Sequence, residues 1–198
     1  MPRPKQRTPV LAEALLAVAV VLLEEGGAAA VTVRAVATRA HTSPQAIYEL
    51  YGGKADLLRA VFFHGFGLLG QHLAALAATN DAMADLRATL RTVGRFTEDR
   101  PALAELMFSR PFAHFDPSEH DRAAGAQVRE AIAGPTRRAV AAGQLGGNPD
   151  DLAHVLLAVV QGLALQQRAG WLGTSAASRR RRWELGLNMV IAGAAQAA

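Results

Sequence analysis

Two side chains near the middle of the first third of the chain have the chemistry to read a nucleic-acid base. Gln45 carries an amide that donates and accepts together, which matches adenine or another base edge, and Tyr48 brings a phenolic hydroxyl one turn later. Both lie in Ser43-Pro44-Gln45-Ala46-Ile47-Tyr48-Glu49-Leu50. Ser43 is an N-cap there, and Pro44 takes the first helical position, where its missing N–H costs nothing. Ala46 and Ile47 turn inward, because small and branched apolar residues are needed where two short helices cross closely. Gln45, Tyr48, Glu49 and Leu50 are left pointing outward or sideways. A helix this short, with these side chains, suits insertion into a major groove.

A second cluster invites a metal reading. His114, Asp116, Glu119, His120 and Asp121 bring two imidazoles and three carboxylates close together in sequence. The local pattern accounts for most of them otherwise: Asp116 as N-cap, Pro117 at the first helical position and Glu119 at the third form a capping box. No metal or cofactor is expected. There is also no Gly-rich phosphate loop, no metal-spaced His pair on a helix and no nucleophile in a motif context, so the expectation is a non-enzymatic protein.

The elements that must position Gln45 and Tyr48 are helical. Of the 198 residues 51% are hydrophobic and only 6% aromatic, with Ala and Leu dominant, which favours helix over sheet. Thr8-Pro9 starts a first helix with Leu11, Leu15, Val18 and Leu22 along one face, ended by Gly26-Gly27. Thr32 caps a second helix whose Val33, Val36 and Ala37 form an apolar face, and His41-Thr42 ends it. After Lys54 a longer helix runs through Leu57, Val61, Phe62, Leu69 and Leu73, interrupted by Gly65, Gly67 and Gly70. Those glycines either let this link bend or let another helix pack closely. Asn80-Asp81 opens the next helix, and Pro101 to Pro111 brackets a compact apolar one. A later helix is expected to break or kink at Gly134-Pro135.

Near the C-terminus two helices are apolar on both sides. From Leu152 to Leu165 one stripe is Leu152, Val155, Leu156, Val159 and Leu163, and the other Ala153, Leu157, Val160 and Ala164. The last helix, Trp183 to Ala195, repeats this with Trp183, Leu187, Val190 and Ile191 against Leu185 and Met189. Both faces of such a helix need cover, one from its own domain and the other from a second subunit.

The net charge of +4 is too small for wholesale coating of nucleic acid, so a basic patch must be local. Arg3, Lys5 and Arg7 form a basic arm, either a solvated tail or a contact to phosphate or minor groove. The Arg179–Arg182 run reads as a solvated face. There is no cysteine, and the apolar run Leu11–Leu23 is too short for a membrane span. The expectation is a soluble, cytoplasmic protein without a membrane role.

Thr32-Val33-Arg34, Val36-Ala37, Ser43-Pro44, Ile47-Tyr48, Tyr51, Lys54 and Asp56-Leu57-Leu58 together resemble the TetR family of bacterial transcriptional repressors. The family usually carries Gly where this chain has His41, and His-Phe where it has Leu50-Tyr51. The segment Pro101 to Pro111 and Val160-Gln161-Gly162-Leu163 resemble one C-terminal domain type of such regulators, which often has His-Gly in place of Gln161-Gly162.

The resemblance implies an all-α chain. Residues 1–54 would be a three-helix DNA-binding domain with a helix-turn-helix, preceded by the arm 1–7, and residues 55–198 a larger helical effector-binding and dimerisation domain. As a homodimer it would bind double-stranded DNA at an inverted-repeat, palindromic operator. Ser43, Pro44, Gln45, Tyr48, Glu49 and Leu50 would enter the groove, while Thr32, Arg34, Thr42, Tyr48 and Lys54 would hold phosphates. A small hydrophobic effector would release the DNA. Phe62, Phe66, Met107, Phe108, Phe112, Phe115 and Trp171 are the candidate pocket wall, with His64, Arg95, Gln127 or Gln161 as polar contacts. Leu157, Val160, Ala164, Trp183, Leu187, Val190 and Ile191 are the dimer-interface candidates. The competing readings are a DNA-independent helical interaction module and an enzyme without a recognisable motif.

Overall fold

The computed structural model describes residues 9–109 and 118–196, and among them every regular element is a helix. The arm at Arg3, Lys5 and Arg7 and the residues Phe112, His114, Phe115, Asp116 and Pro117 lie outside the described residues. Helix α1 (Pro9–Ala30) buries Leu15, Ala19, Val20 and Leu23, so its inward row is Leu15, Ala19 and Leu23 at four-residue steps. Its backbone leaves helical geometry at Gly26-Gly27, where Gly27 takes φ 69°. Arg39 reaches back to pair with Glu25 in a two-pronged contact, one arm at 2.8 Å, tying the next helix to the end of this one.

Helices α2 (Val33–Arg39) and α3 (Pro44–Tyr51) follow, and the turn between them ends α2 by a Schellman arrangement. The N–H of Thr42 donates to Ala37 O at 2.9 Å and that of His41 to Thr38 O at 3.2 Å. This needs His41 at φ 52°, the left-handed region. Ala46 and Ile47 of α3 are buried against α2, and the burial of Ile47 contributes about 2 kcal/mol. Tyr51 donates its hydroxyl to Ala12 O at 2.6 Å, which pins α3 to α1. Burial, and then the charge of Glu13, push the Tyr51 phenol up.

Gly52, left-handed at φ 78°, closes α3 and turns the chain into α4 (Lys54–Ala74). This helix links the two parts of the molecule, packing on α1 and α3 on one side and on α5 (Ala82–Asp99), α6 (Pro101–Ser109) and α7 (Glu119–Ala141) on the other. It is unbroken at its glycines. A Cβ at Gly65 would fall 2.6 Å from Met107 Sδ, and one at Gly70 the same distance from Gln127 Oε1, so both mark close approach of α6 and α7. Gly67 faces open space. Of the two roles expected for these glycines, Gly65 and Gly70 take the packing one.

Helix α7 departs from expectation in two ways. Its cap is Ser118, whose hydroxyl accepts from Asp121 N while Asp121 accepts from Ser118 N, so the capping box lies two residues later than the Asp116–Glu119 pattern. It also runs unbroken through Pro135. Proline there leaves Ala131 O without its in-helix donor, and the hydroxyl of Thr89 on α5 approaches that oxygen at 3.4 Å. Beside it Arg138 pairs with Asp85, and Thr79 donates to Asp85 through its backbone N–H at 2.9 Å and its hydroxyl at 2.8 Å. The Arg138 guanidinium, followed by the two Thr79 hydrogen bonds, lowers the Asp85 carboxyl to about 2.

Helices α8 (Pro149–Arg168) and α9 (Ala176–Ala195) complete the body. Asn148 caps α8 through Asp150 N and Asp151 N, and Ser175 caps α9 through Ser178 N. Helix α9 thus begins seven residues before Trp183 and carries the Arg179–Arg182 run within it. No helix among the described residues is long and apolar enough to cross a membrane.

Candidate nucleic-acid interface and cavity

The α2–α3 pair presents one polar surface. Thr32, Arg34, Ser43, Pro44, Gln45, Tyr48, Glu49 and Lys54 are all exposed, while Val36, Ala37, Ala46 and Ile47 are turned into the core. Thr32 caps α2 by accepting from Ala35 N at 3.1 Å, which holds that end of the surface rigid. Ser43 is in the cap position of α3 but its hydroxyl makes no capping bond. The Gln45 amide donates to Glu49 Oε1 at 3.1 Å, one turn on. Tyr48 is 54% exposed, with its ring edge resting over Gly53, so it is a surface residue and not a wedge between helices.

Two residues of the expected set are placed differently. Leu50 is partly buried and packs on the core, because the face of α3 it occupies turns towards its neighbours. The Thr42 hydroxyl is enclosed without a hydrogen-bond partner, since the N–H of Thr42 is drawn inward by the α2 stop. Neither side chain is presented for a DNA contact.

The body contains an apolar cavity of about 270 Å³ between α4, α6, α7 and α8. Phe62, Phe66, Met107, Phe108 and Gln161 come together in its wall. The Phe62 and Phe66 rings meet at a tilt of 51° with centroids 5.0 Å apart. Trp171 does not join them. It is 77% exposed on the loop after α8, where its N–H closes the helix stop at Gln166 O and its indole projects outward. Gln127 packs at Gly70, and Arg95 lines a separate groove with Trp183. His64 is half-buried outside the wall, its imidazole lowered by burial and then by Arg100. Phe63, Val128, Arg122, Arg129 and Leu157 also line the cavity. The spacing of Arg122 and Arg129, two turns apart on α7, would have put them on one face.

The dimer-interface residues need a larger correction. Val160, Ala164, Trp183, Leu187 and Ile191 are buried within the protomer, Val190 is partly buried, and Leu157 belongs to the cavity wall. On the opposite stripes Val155 is 49% exposed, Leu185 59% and Met189 66%, whereas Leu156 is buried and Leu152, Val159 and Leu163 are partly buried against the core. Ala158, Gly162, Ala192 and Gly193 are exposed small residues on the same two helices. Periodicity showed two apolar stripes on each helix but not which of their side chains the domain itself would cover.

A short exposed helix set by a tight turn beside a capped partner, joined to an all-α body with an aromatic-lined cavity, defines a helix-turn-helix regulator. Residues 15–61 match the model for bacterial regulatory proteins of the tetR family, and residues 86–190, over half the chain, match the tetracyclin repressor-like C-terminal domain. The chain belongs to the TetR family and is a ligand-responsive, DNA-binding transcriptional regulator. Its fold is shared with a protein of unknown function from Rhodococcus sp. RHA1 (24% identity, TM-score 0.78, covering 98% of this chain and 100% of that one). It is shared also with a tetR-family regulatory protein from Rhodococcus RHA1 (20% identity, TM-score 0.66, 92% and 98% covered). A third likeness is to SmeT in its complex with triclosan (22% identity, TM-score 0.66, 93% and 91% covered). At these identities the likeness shows the fold. No curated protein sequence matches the chain.

Proposed function

We propose that the chain is a homodimeric repressor that holds an inverted-repeat operator and lets it go when a small, largely apolar effector enters the cavity. The observation that supports this best is the split of α3: Ala46 and Ile47 are buried, whereas Gln45 and Tyr48 stand free on the surface. Gln45 is the base reader, and it exchanges its Glu49 contact for a base edge on binding. Thr32, Arg34, Ser43, Tyr48 and Lys54 hold phosphates and fix register. Residues 1–54 form the reading unit and 55–198 the effector and dimer unit, with α4 between them.

The dimer forms through the outer faces of α8 and α9, around the exposed Val155, Leu185 and Met189, since apolar side chains this exposed need a cover. The exposed Ala158, Gly162, Ala192 and Gly193 let a second helix pair approach closely. The two reading helices then meet half-sites about one helical turn, or a multiple, apart. The protein works in the cytoplasm.

Selection from a randomised duplex pool at near-physiological salt tests this reading. Recovery of an inverted repeat whose enrichment collapses in Gln45→Ala is the expected result. Recovery of only salt-sensitive, sequence-blind binding in the absence of effector overturns it and favours an interaction module that uses the α8–α9 face alone.

A further inference from the structure

The cavity has a cationic edge that a purely apolar effector would leave unused. Arg122 and Arg129 stand two turns apart on α7 and both line it, opposite Phe62, Phe66, Met107 and Phe108. Among the described residues neither guanidinium is held in an ion pair. The other arginines of the C-terminal half of α7 are engaged: Arg137 with Glu130 and Asp150, and Arg138 with Asp85. The one carboxylate among the described wall residues, Asp121, already serves the helix cap, with its Oδ2 accepting from the Ser118 hydroxyl at 2.7 Å and from Ser118 N at 3.1 Å.

A second cavity, of about 280 Å³, adjoins the first and shares Arg129 and Leu157 with it. Its wall is mostly apolar, with Ile132, Ala133, Ala153 and Leu157, and carries Glu130, Arg137, Asp150 and His154 as well. Arg129 therefore stands where the two cavities meet. A guanidinium at the rim of an aromatic cavity can grip a carboxylate with two parallel hydrogen bonds while the apolar body of the same molecule is covered by the rings.

We propose that the effector is an amphipathic anion. Its apolar body lies among the phenylalanines, and a carboxylate or similar oxyanion rests on Arg122 and Arg129. This rests on the reading of the cavity as the effector site. The aromatic chamber has the volume of roughly nine liquid waters, room for a short alkyl chain or a single substituted ring.

The test is calorimetric titration of the full chain, near physiological salt, with octanoate and 4-phenylbutyrate and with octan-1-ol and 4-phenylbutan-1-ol as neutral counterparts of similar shape. The expected result is at least about tenfold tighter binding of the acids. That preference should be lost in Arg122→Gln/Arg129→Gln, which changes only exposed side chains, and all binding should be lost in Leu157→Trp, which fills the shared wall. Neutral compounds binding as well as the acids, with Leu157→Trp still blocking both, would overturn the anion assignment and leave the cavity reading standing. Binding that Leu157→Trp does not affect, or no binding of any of the four, overturns both.

Discussion

Two glycines a half-turn apart on α4 offer a controlled comparison. Alanine in a helix interior is favoured over glycine by about 1 kcal/mol. At Gly67 nothing lies within 4 Å of a new Cβ. Gly67→Ala should therefore gain the full increment, about 1 kcal/mol, and raise the Tm by about 2–4 °C for a chain of this size. At Gly65 the same gain is opposed. The new Cβ would sit 2.6 Å from Met107 Sδ, 3.0 Å from Met107 Cγ and 3.1 Å from Leu103 Cδ1. Met107 is 1% exposed and walls the cavity, so the side of least resistance is the cavity itself. Overpacking of this kind costs about 1–3 kcal/mol, which leaves Gly65→Ala between about equal to the parent and about 2 kcal/mol less stable. The displaced thioether should also take volume from any bound effector. Urea unfolding followed by circular dichroism measures the first effect, and effector titration the second. If Gly65→Ala proves as stabilising as Gly67→Ala and binds effector unchanged, the tight α4–α6 contact is wrong.

Four further outcomes follow from other parts of the molecule. On a recovered operator, Gln45→Ala should relax specificity at one base pair by about 1–3 kcal/mol, whereas Lys54→Ala should weaken all sequences alike and reduce the salt slope by about 1; both are read by titrating labelled duplexes across a salt series. His41→Gly should stabilise the protein by up to about 1 kcal/mol, because glycine adopts φ 52° without the steric cost that a Cβ brings; a neutral or destabilising result in thermal unfolding refutes the strain. The Asp85 carboxyl titrates at about 2 when folded against 3.8 in the unfolded chain, so its contribution is fully present above pH 3.8 and is lost as pH falls towards 2. Asp85→Asn should thus be less stable than the parent at neutral pH, by a margin that shrinks across that acid range, and a margin independent of pH would contradict the pairing with Arg138. Finally, Leu185→Glu/Met189→Glu should give a folded monomer by sedimentation, while Leu187→Glu, on the buried stripe, should fail to fold; a dimer that survives the first pair places the interface elsewhere.

Much of the reading unit was legible because its signals are local. Ser43-Pro44, Thr32 and the Ala46-Ile47 pair specify caps and an inward face within a few residues, and the structure keeps them at those positions. The misplacements share a different origin. Leu50 and the Thr42 hydroxyl were expected outside, yet their exposure depends on how α3 rolls against its neighbours. The α7 cap moved from Asp116 to Ser118 because two overlapping capping patterns compete in one stretch, and propensity alone cannot rank them. Pro135 did not break its helix because a hydroxyl on another helix faces the freed carbonyl.

By itself, then, the sequence determined the helices, most of their ends and which face of α3 is exposed, since caps, prolines and 3.6-residue periodicity act over one or two turns. Tertiary packing alone decided which apolar side chains of α8 and of α9 stay exposed, that Trp171 faces outward, and that Arg122 and Arg129 meet Phe62 and Met107 at one cavity. Those outcomes depend on contacts between helices far apart in the chain. A helix apolar on both sides satisfies its own pattern equally well in either orientation, and only its neighbours break the tie.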